Sequence, residues 1–315
     1  MGFSPALRLD DLSLILGGGG GRGLAHIGAW RALQEMDIRP VRVVASSAGA
    51  LVGACIASGA SWRELSCRAQ LLAGGIFSLN SRILSQGMRT PSLLREEPLR
   101  ELIHSLTSIS RFDELPVRLS VNSVDLGTGR VVWFGEGGRE DVSLAEAIYA
   151  SCALPLFFPP ATIGGEHYVD GGILDPLPIA HARSLGARSI IAIDLAAPAT
   201  PTQRRPGMID TYCRVFEILG ERSGRSPAGA PQRDVIHILP SLSGRHTFDL
   251  SRPETLIEAG YHATLKALTG YLPAFESAPA AAAPVIVRPA AAQSRWLPSW
   301  LLNVPATLGR MVPSR

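Results

Sequence analysis

LSLILGGGGGRGLAHIGAWRALQEMDIRPVRVVASSAGALVG, residues 12–53, decides the fold. Leu12 to Leu16 is an apolar run long enough for a buried strand, and it stops at five glycines, Gly17 to Gly21, followed by Arg22 and Gly23. From Leu24 to Met36 the apolar residues Leu24, Ile27, Gly28, Trp30, Ala32, Leu33 and Met36 recur at helical spacing, so one face can lie on a sheet. Val41 to Ala45 reads as a second buried strand, and Ser46-Ser47-Ala48-Gly49 breaks it into another apolar helix, Ala50 to Ala57. The unit is strand, glycine loop, helix, strand, serine turn, helix.

Two consequences follow. A glycine run lets backbone come close to a ligand and leaves amide N–H groups exposed at the start of a helix, which suits negative charge. A serine at a tight strand-to-helix turn projects beyond the sheet edge as a nucleophile elbow, in the frame Ala45-Ser46-Ser47-Ala48-Gly49. Acyl transfer needs those two parts, an activated nucleophile and a site for the oxyanion. The tract also fits the spacing Gly18-x-Gly20-x-x-Gly23 of a dinucleotide fingerprint, but the second strand ends in Ala45-Ser46-Ser47 where an acidic residue would hold a ribose. A P-loop needs Gly-Lys-Ser/Thr, and the one lysine is Lys266.

Working outward, 315 residues with 46% hydrophobic and 18% charged composition are enough for a large core, and global disorder is excluded. The charge of +3, from 30 basic and 27 acidic residues, is too balanced to point to nucleic acid. Almost all of the basic residues are arginine, a bias that biased codon usage explains and that leaves little room for lysine chemistry. Cys55, Cys67, Cys152 and Cys213 show no paired metal-ligand spacing and read as reduced thiols, so neither a metal nor a cofactor is expected. The N-terminus carries no signal-peptide pattern and no stretch reaches about 18 uninterrupted apolar residues; the expected location is cytoplasmic, with peripheral membrane contact as an option.

After the serine turn, Ser61-Trp62-Arg63-Glu64 is a capping box for a helix to about Ala73, and Gly74 to Pro91 is expected to cap the site. Glu97 to Leu106 reads as a helix; Val117 to Val124 and Val131 to Phe134 read as a hairpin; Ser143 caps a helix running into Ser151-Cys152-Ala153-Leu154-Pro155. Tyr168-Val169-Asp170-Gly171-Gly172 places an aspartate at the end of a short strand, which on its own reads as an ordinary Asp-Gly turn. Ile179 to Leu185 is helical, Ser189 to Asp194 and Val235 to Leu239 are strands, and Ser251 to Leu268 is a long helix. Strands alternating with helices predict an α/β three-layer sandwich with a mostly parallel central sheet and active groups at the strands' carboxyl ends. The expected organisation is one domain over residues 1–275, an Ala/Pro-rich linker at 276–294 and a Trp/Leu-containing tail at 295–315, which either touches membrane, folds back or binds a partner.

Taken together, three stretches resemble the patatin-like phospholipase family, in particular its bacterial branch related to neuropathy target esterase. Gly18-Gly19-Gly20-Gly21-Arg22-Gly23 looks like the family's oxyanion block, Ser46-Ser47-Ala48-Gly49-Ala50 like its serine elbow, and Asp170-Gly171-Gly172 like its aspartate block, with Ala150 to Pro155 in its expected place between them. The resemblance covers about Leu12 to Asp194 and, more faintly, the helix at Ser251 to Leu268, and leaves out the tail. It departs at Ala45, where the family's elbow usually begins with glycine.

The resemblance implies a lipid or acyl-ester substrate and a Ser-Asp dyad: Ser47 attacks the acyl carbonyl, Asp170 takes its proton directly, and amides from Gly18 to Gly21 hold the oxyanion. An aspartate with an ordinary pKa near ~3.9 is a poor base, so burial or a well-aligned hydrogen bond is required of Asp170. Arg22 is a candidate for steering a phosphate or carboxyl group, with a solvated surface arginine as the alternative; His26 is expected to pack or cap. Two rival readings are an α/β-hydrolase triad of Ser47, Asp170 and His246, and a lipid-binding or regulatory protein with little turnover, for which Ala45 is the one feature in favour.

Overall fold

The computed structural model describes residues 11–74, 78–196, 207–223, 234–242 and 252–271, all within one compact unit, residues 1–272. The expected linker at 276–294, the tail at 295–315 and His246 lie outside the described residues.

β1 (Leu12–Leu16) is the middle of the five-stranded parallel run of the sheet. It pairs in parallel with β2 (Arg42–Ala45) on one side and β7 (Ser189–Ile193) on the other. The parallel run continues from β2 to β3 (Arg118–Asp125) and from β7 to β8 (Val235–Ile238). At one edge it turns antiparallel: β4 (Val131–Gly135) returns along β3, and β6 (Glu166–Asp170) pairs with both the far end of β3 and β5 (Ala161–Ile163). A mostly parallel sheet is covered on both faces, and the strand sequences obey that. Leu14, Leu16, Val43 and Ala45 point into the larger core, while Ile15, Val44, Ile190 and Ala192 point into the smaller one on the other face. This is the predicted three-layer arrangement.

The larger core is closed by α1 (Ala25–Glu35), α2 (Ala48–Ala57), α5 (Glu97–Leu106), α6 (Leu144–Cys152) and α9 (Pro253–Tyr271), and the smaller by α7 (Ile179–Ser184). Capping residues set several starts as expected. Ser61 and Glu64 exchange bonds at α3 (Trp62–Gly74), and the Ser143 hydroxyl accepts from the Glu146 amide at 3.2 Å to open α6. The stretch expected to cap the site is described from Ser78 onward and includes α4 (Ile83–Gln86). Just after it, the amides of Leu93 and Leu94 donate to the carbonyls of Leu156 and Phe157. The longest described element that the sequence reading left out is α8 (Met208–Ser223); the short α4 and β5 were left out too.

α1 and α9 cross where both carry glycine. A methyl on Gly28 would stand 1.7 Å from the Ile257 carbonyl oxygen, and one on Gly260 would stand 1.9 Å from that of Ala25. Neither backbone can yield without separating the helices, so Gly28→Ala is expected to lower stability by about 3 kcal/mol. Thermal melting checks this, with a fall of roughly 6–12 °C expected for a domain of this size; an unchanged melting temperature contradicts the crossing.

Candidate active site

The ends of β1, β2 and β6 each deliver one part of the site. β2 finishes at Ala45, and the Ser46 amide makes its last ladder-like bond to the Leu16 carbonyl at 3.1 Å. The chain then turns so sharply that Ser47 adopts φ 54, ψ −126, a left-handed setting that costs a residue with a Cβ on the order of 1–3 kcal/mol. Small neighbours make the turn feasible: a methyl on Gly49 would come within 2.2 Å of the Leu16 carbonyl oxygen. The departure at Ala45 is accommodated in the same way. Its Cβ would be 3.2 Å from a methyl at position 53, and the residue there, Gly53, has none.

Asp170 ends β6, where it pairs with Ser123 of β3, and it caps the 3-10 turn Gly171–Ile173 by accepting the Gly172 amide on Oδ1 at 2.7 Å. Gly171 is obligatory there, since a methyl would stand 2.1 Å from the Asn122 Oδ1. The other carboxylate oxygen, Oδ2, accepts the Ser47 hydroxyl at 2.6 Å. Thus two residues 123 positions apart in the chain come into direct contact. Asp170 is 1% exposed. Burial raises its pKa to about 7, although its bonds from Ser47 and Gly172 act the other way. A carboxyl titrating there can take and return a proton near neutral pH.

The glycine loop lies against the serine: a methyl on Gly18 would be 3.2 Å from Ser47 Cβ. Here one expected donor needs correction. The Gly18 amide is committed to the Pro176 carbonyl at 2.9 Å, because the loop leaves β1 alongside the turn that follows Asp170. The amides of Gly19, Gly20 and Gly21 meet no carbonyl among the described residues, at the start of the 3-10 turn Gly20–Leu24. Arg22 is not a solvated surface arginine. It is 5% exposed, and its Nε donates to the Gly19 carbonyl at 3.3 Å, which braces the loop from behind. His26 packs under the same loop with Nε2 at 2.8 Å from the Gly17 carbonyl; burial lowers its pKa to about 4, so it donates there as a neutral ring.

Sequence reasoning missed several residues around the dyad. The Ser47 amide donates to Ser151 Oγ at 2.9 Å, and the Cys152 thiol donates to the Ser47 carbonyl at 3.1 Å. From α8, the Tyr212 hydroxyl donates to the Pro155 carbonyl at 2.8 Å, and Phe216 lies beside Gly172. The helical recurrence of Ile209, Tyr212, Cys213 and Phe216 was a readable signal for α8. A separate polar cleft of about 340 Å³, lined by residues that include Ser58, Arg68 and His104, contains none of these residues. Among the described residues, no three of His, Cys, Asp and Glu form a group that could hold a metal ion, and no helix is long and apolar enough to cross a membrane.

The family model described as patatin-like phospholipase matches residues 14–183. An uncharacterised NTE family protein of Mycobacterium tuberculosis is 33% identical over 227 residues, which cover 67% of this chain and 59% of that protein. A lysophospholipase of Emericella nidulans is 30% identical over 187 residues, covering 59% of this chain and 12% of its own much greater length. Among solved structures, VipD from Legionella pneumophila matches 85% of this chain and 67% of its own, with a TM-score of 0.49 and 16% identity.

Proposed function

The chain belongs to the patatin-like phospholipase family, a family of lipid-ester hydrolases, and on that premise we propose that it cleaves the carboxyl ester of phospholipids or lysophospholipids through a Ser47-Asp170 dyad. The observation that carries the reading is the 2.6 Å bond from the Ser47 hydroxyl to a buried carboxylate whose pKa lies at about 7. The fungal relative's description as a lysophospholipase supports the substrate class. The chain spans 59% of the mycobacterial relative, so the activity assigned here is that of the shared domain.

The chemistry runs in two halves. Ser47 Oγ forms a bond to the acyl carbon as its proton passes to Asp170 Oδ2, and the carbonyl oxygen becomes an oxyanion facing the amides of Gly19, Gly20 and Gly21. Each well-placed donor is worth about 3–4 kcal/mol at that stage. The ester C–O bond then breaks, the departing alcohol takes the proton from Asp170, and the acyl group stays on Ser47. Water enters, gives a proton to the same carboxylate and attacks the acyl carbon; release of the fatty acid returns the proton to Ser47 Oγ. The N-terminus of α2, directly behind Ser47, adds a favourable field for the anionic stages.

The base works only when ionised. kcat/KM on a soluble short-chain ester is therefore expected to rise tenfold per pH unit below about 7 and to level off above it. Asp175, raised to about 6 by burial, is the other nearby carboxyl on this turn, and the limb is expected to persist in Asp175→Asn. A profile flat from pH 5 to pH 9 contradicts Asp170 as the base. Release of fatty acid from lysophosphatidylcholine and from phosphatidylcholine vesicles tests the substrate class, and no release from either by folded protein overturns it.

A further inference from the structure

We propose that the turn Ser151-Cys152-Ala153, at the end of α6, is the positioning element that fixes nucleophile and base relative to each other; this rests on the Ser47-Asp170 reading. Three consecutive residues make three bonds to the dyad. Ser151 Oγ accepts the Ser47 amide at 2.9 Å, the Cys152 thiol donates to the Ser47 carbonyl at 3.1 Å, and the Ala153 carbonyl accepts the Asp170 amide at 3.0 Å. Both peptide groups flanking the Ser47 Cα, and the one preceding the Asp170 Cα, are thereby tied to one short segment.

The need for such a segment comes from the elbow. Pairing of β2 with its neighbours ends at Ala45, so the Ser47 amide has no strand carbonyl opposite it. Its backbone setting is one that a residue with a side chain leaves unless held. The Ser47 carbonyl also accepts the Ala50 amide at 2.7 Å, but that bond belongs to α2 and fixes only one side of the residue. Ser151 is wholly buried and Cys152 nearly so, which shields both bonds from competing water. Burial, with Asp170 adding to it, holds the Cys152 thiol protonated and hence a donor. A second consequence concerns the oxyanion. With its amide engaged by Ser151, Ser47 does not lend its own N–H to the oxyanion, and the glycine loop supplies that role.

The test is the kinetics of inactivation by a long-chain fluorophosphonate, which separates binding from the chemical step. Ser151→Val and Ser151→Thr have nearly the same shape and differ in the hydroxyl. Ser151→Val is expected to slow the maximal inactivation rate about 10- to 100-fold relative to Ser151→Thr, the loss typical of a small misplacement of reacting atoms. The inhibitor's binding constant should change by less than about threefold, and the acid limb near pH 7 should not move, since the charge environment of Asp170 is untouched. Cys152→Ala is expected to lose several-fold, with recovery in Cys152→Ser, and it carries the test if the position 151 variants do not fold. Equal maximal rates for the valine and threonine variants, or for Cys152→Ala and wild type, overturn the proposal. A displaced pH limb also overturns it, because the residues would then act on the Asp170 charge. Absence of labelling in folded wild type instead removes the dyad reading itself, and this proposal with it.

Discussion

Ser47→Ala is expected to abolish ester hydrolysis, with turnover falling roughly 10⁴- to 10⁶-fold, the scale on which removal of a nucleophile acts. Among the described residues, neither of the nearest hydroxyl and thiol side chains can replace it. Ser46 is fully buried with its hydroxyl unpartnered, and the Cys152 thiol is held protonated and directed at the Ser47 carbonyl. The fold should tolerate the change, because the Ser47 side chain takes no part in capping α2. Melting within about 2 °C of wild type, together with lost turnover on the soluble ester, is the expected pair of results. Residual activity above a hundredth of wild type would contradict Ser47 as the nucleophile.

Asp170→Asn comes next in size and acts in two directions. Turnover is expected to fall roughly 10³- to 10⁴-fold, because an amide cannot accept the Ser47 proton. Stability is expected to move the other way. The folded-state pKa of Asp170 is raised from 3.8 to about 7, so the stability associated with its protonated form is present below pH 4 and lost as pH rises through 7. Above pH 7 the folded protein holds a buried carboxylate at a cost of at most about 4 kcal/mol, a figure already net of its bonds from Ser47 and Gly172. The asparagine variant should therefore melt above wild type at pH 8, with the difference shrinking toward pH 5. A pH-independent difference in melting temperature would show that Asp170 is not the titrating group.

Much of this was legible from residue order because the deciding features are local. Leu12 to Leu16 reads as a buried strand from its apolar run alone, and the structure buries it on both faces, with Leu14 and Leu16 in the larger core and Ile15 in the smaller. The elbow at Ser47 was legible for a related reason, since a serine between an apolar strand and small residues has few conformations open to it. What could not be read were long-range choices among equivalent backbone groups. Gly18 and Gly19 are indistinguishable as letters, yet the Gly18 amide is taken by Pro176, a residue far along the chain. Ser151 and Cys152 lie in a stretch that the resemblance placed, but their bonds could not be read because their partner, the Ser47 peptide, is 104 and 105 positions away. Arg22 was ambiguous because charge alone does not say whether a guanidinium faces solvent or folds back on its own loop. Asp170 read alone as a turn former, and the structure adds its burial and the serine placed against it.

The central claim is that Ser47 and Asp170 act as a pair without a histidine. Intact-mass analysis after exposure to a long-chain fluorophosphonate tests this on wild type, Ser47→Ala, Asp170→Asn and His246→Ala. The account predicts a single adduct on wild type and on His246→Ala at similar rates, none on Ser47→Ala, and a much slower one on Asp170→Asn. Loss of labelling in His246→Ala, or an adduct that survives Ser47→Ala, would contradict it.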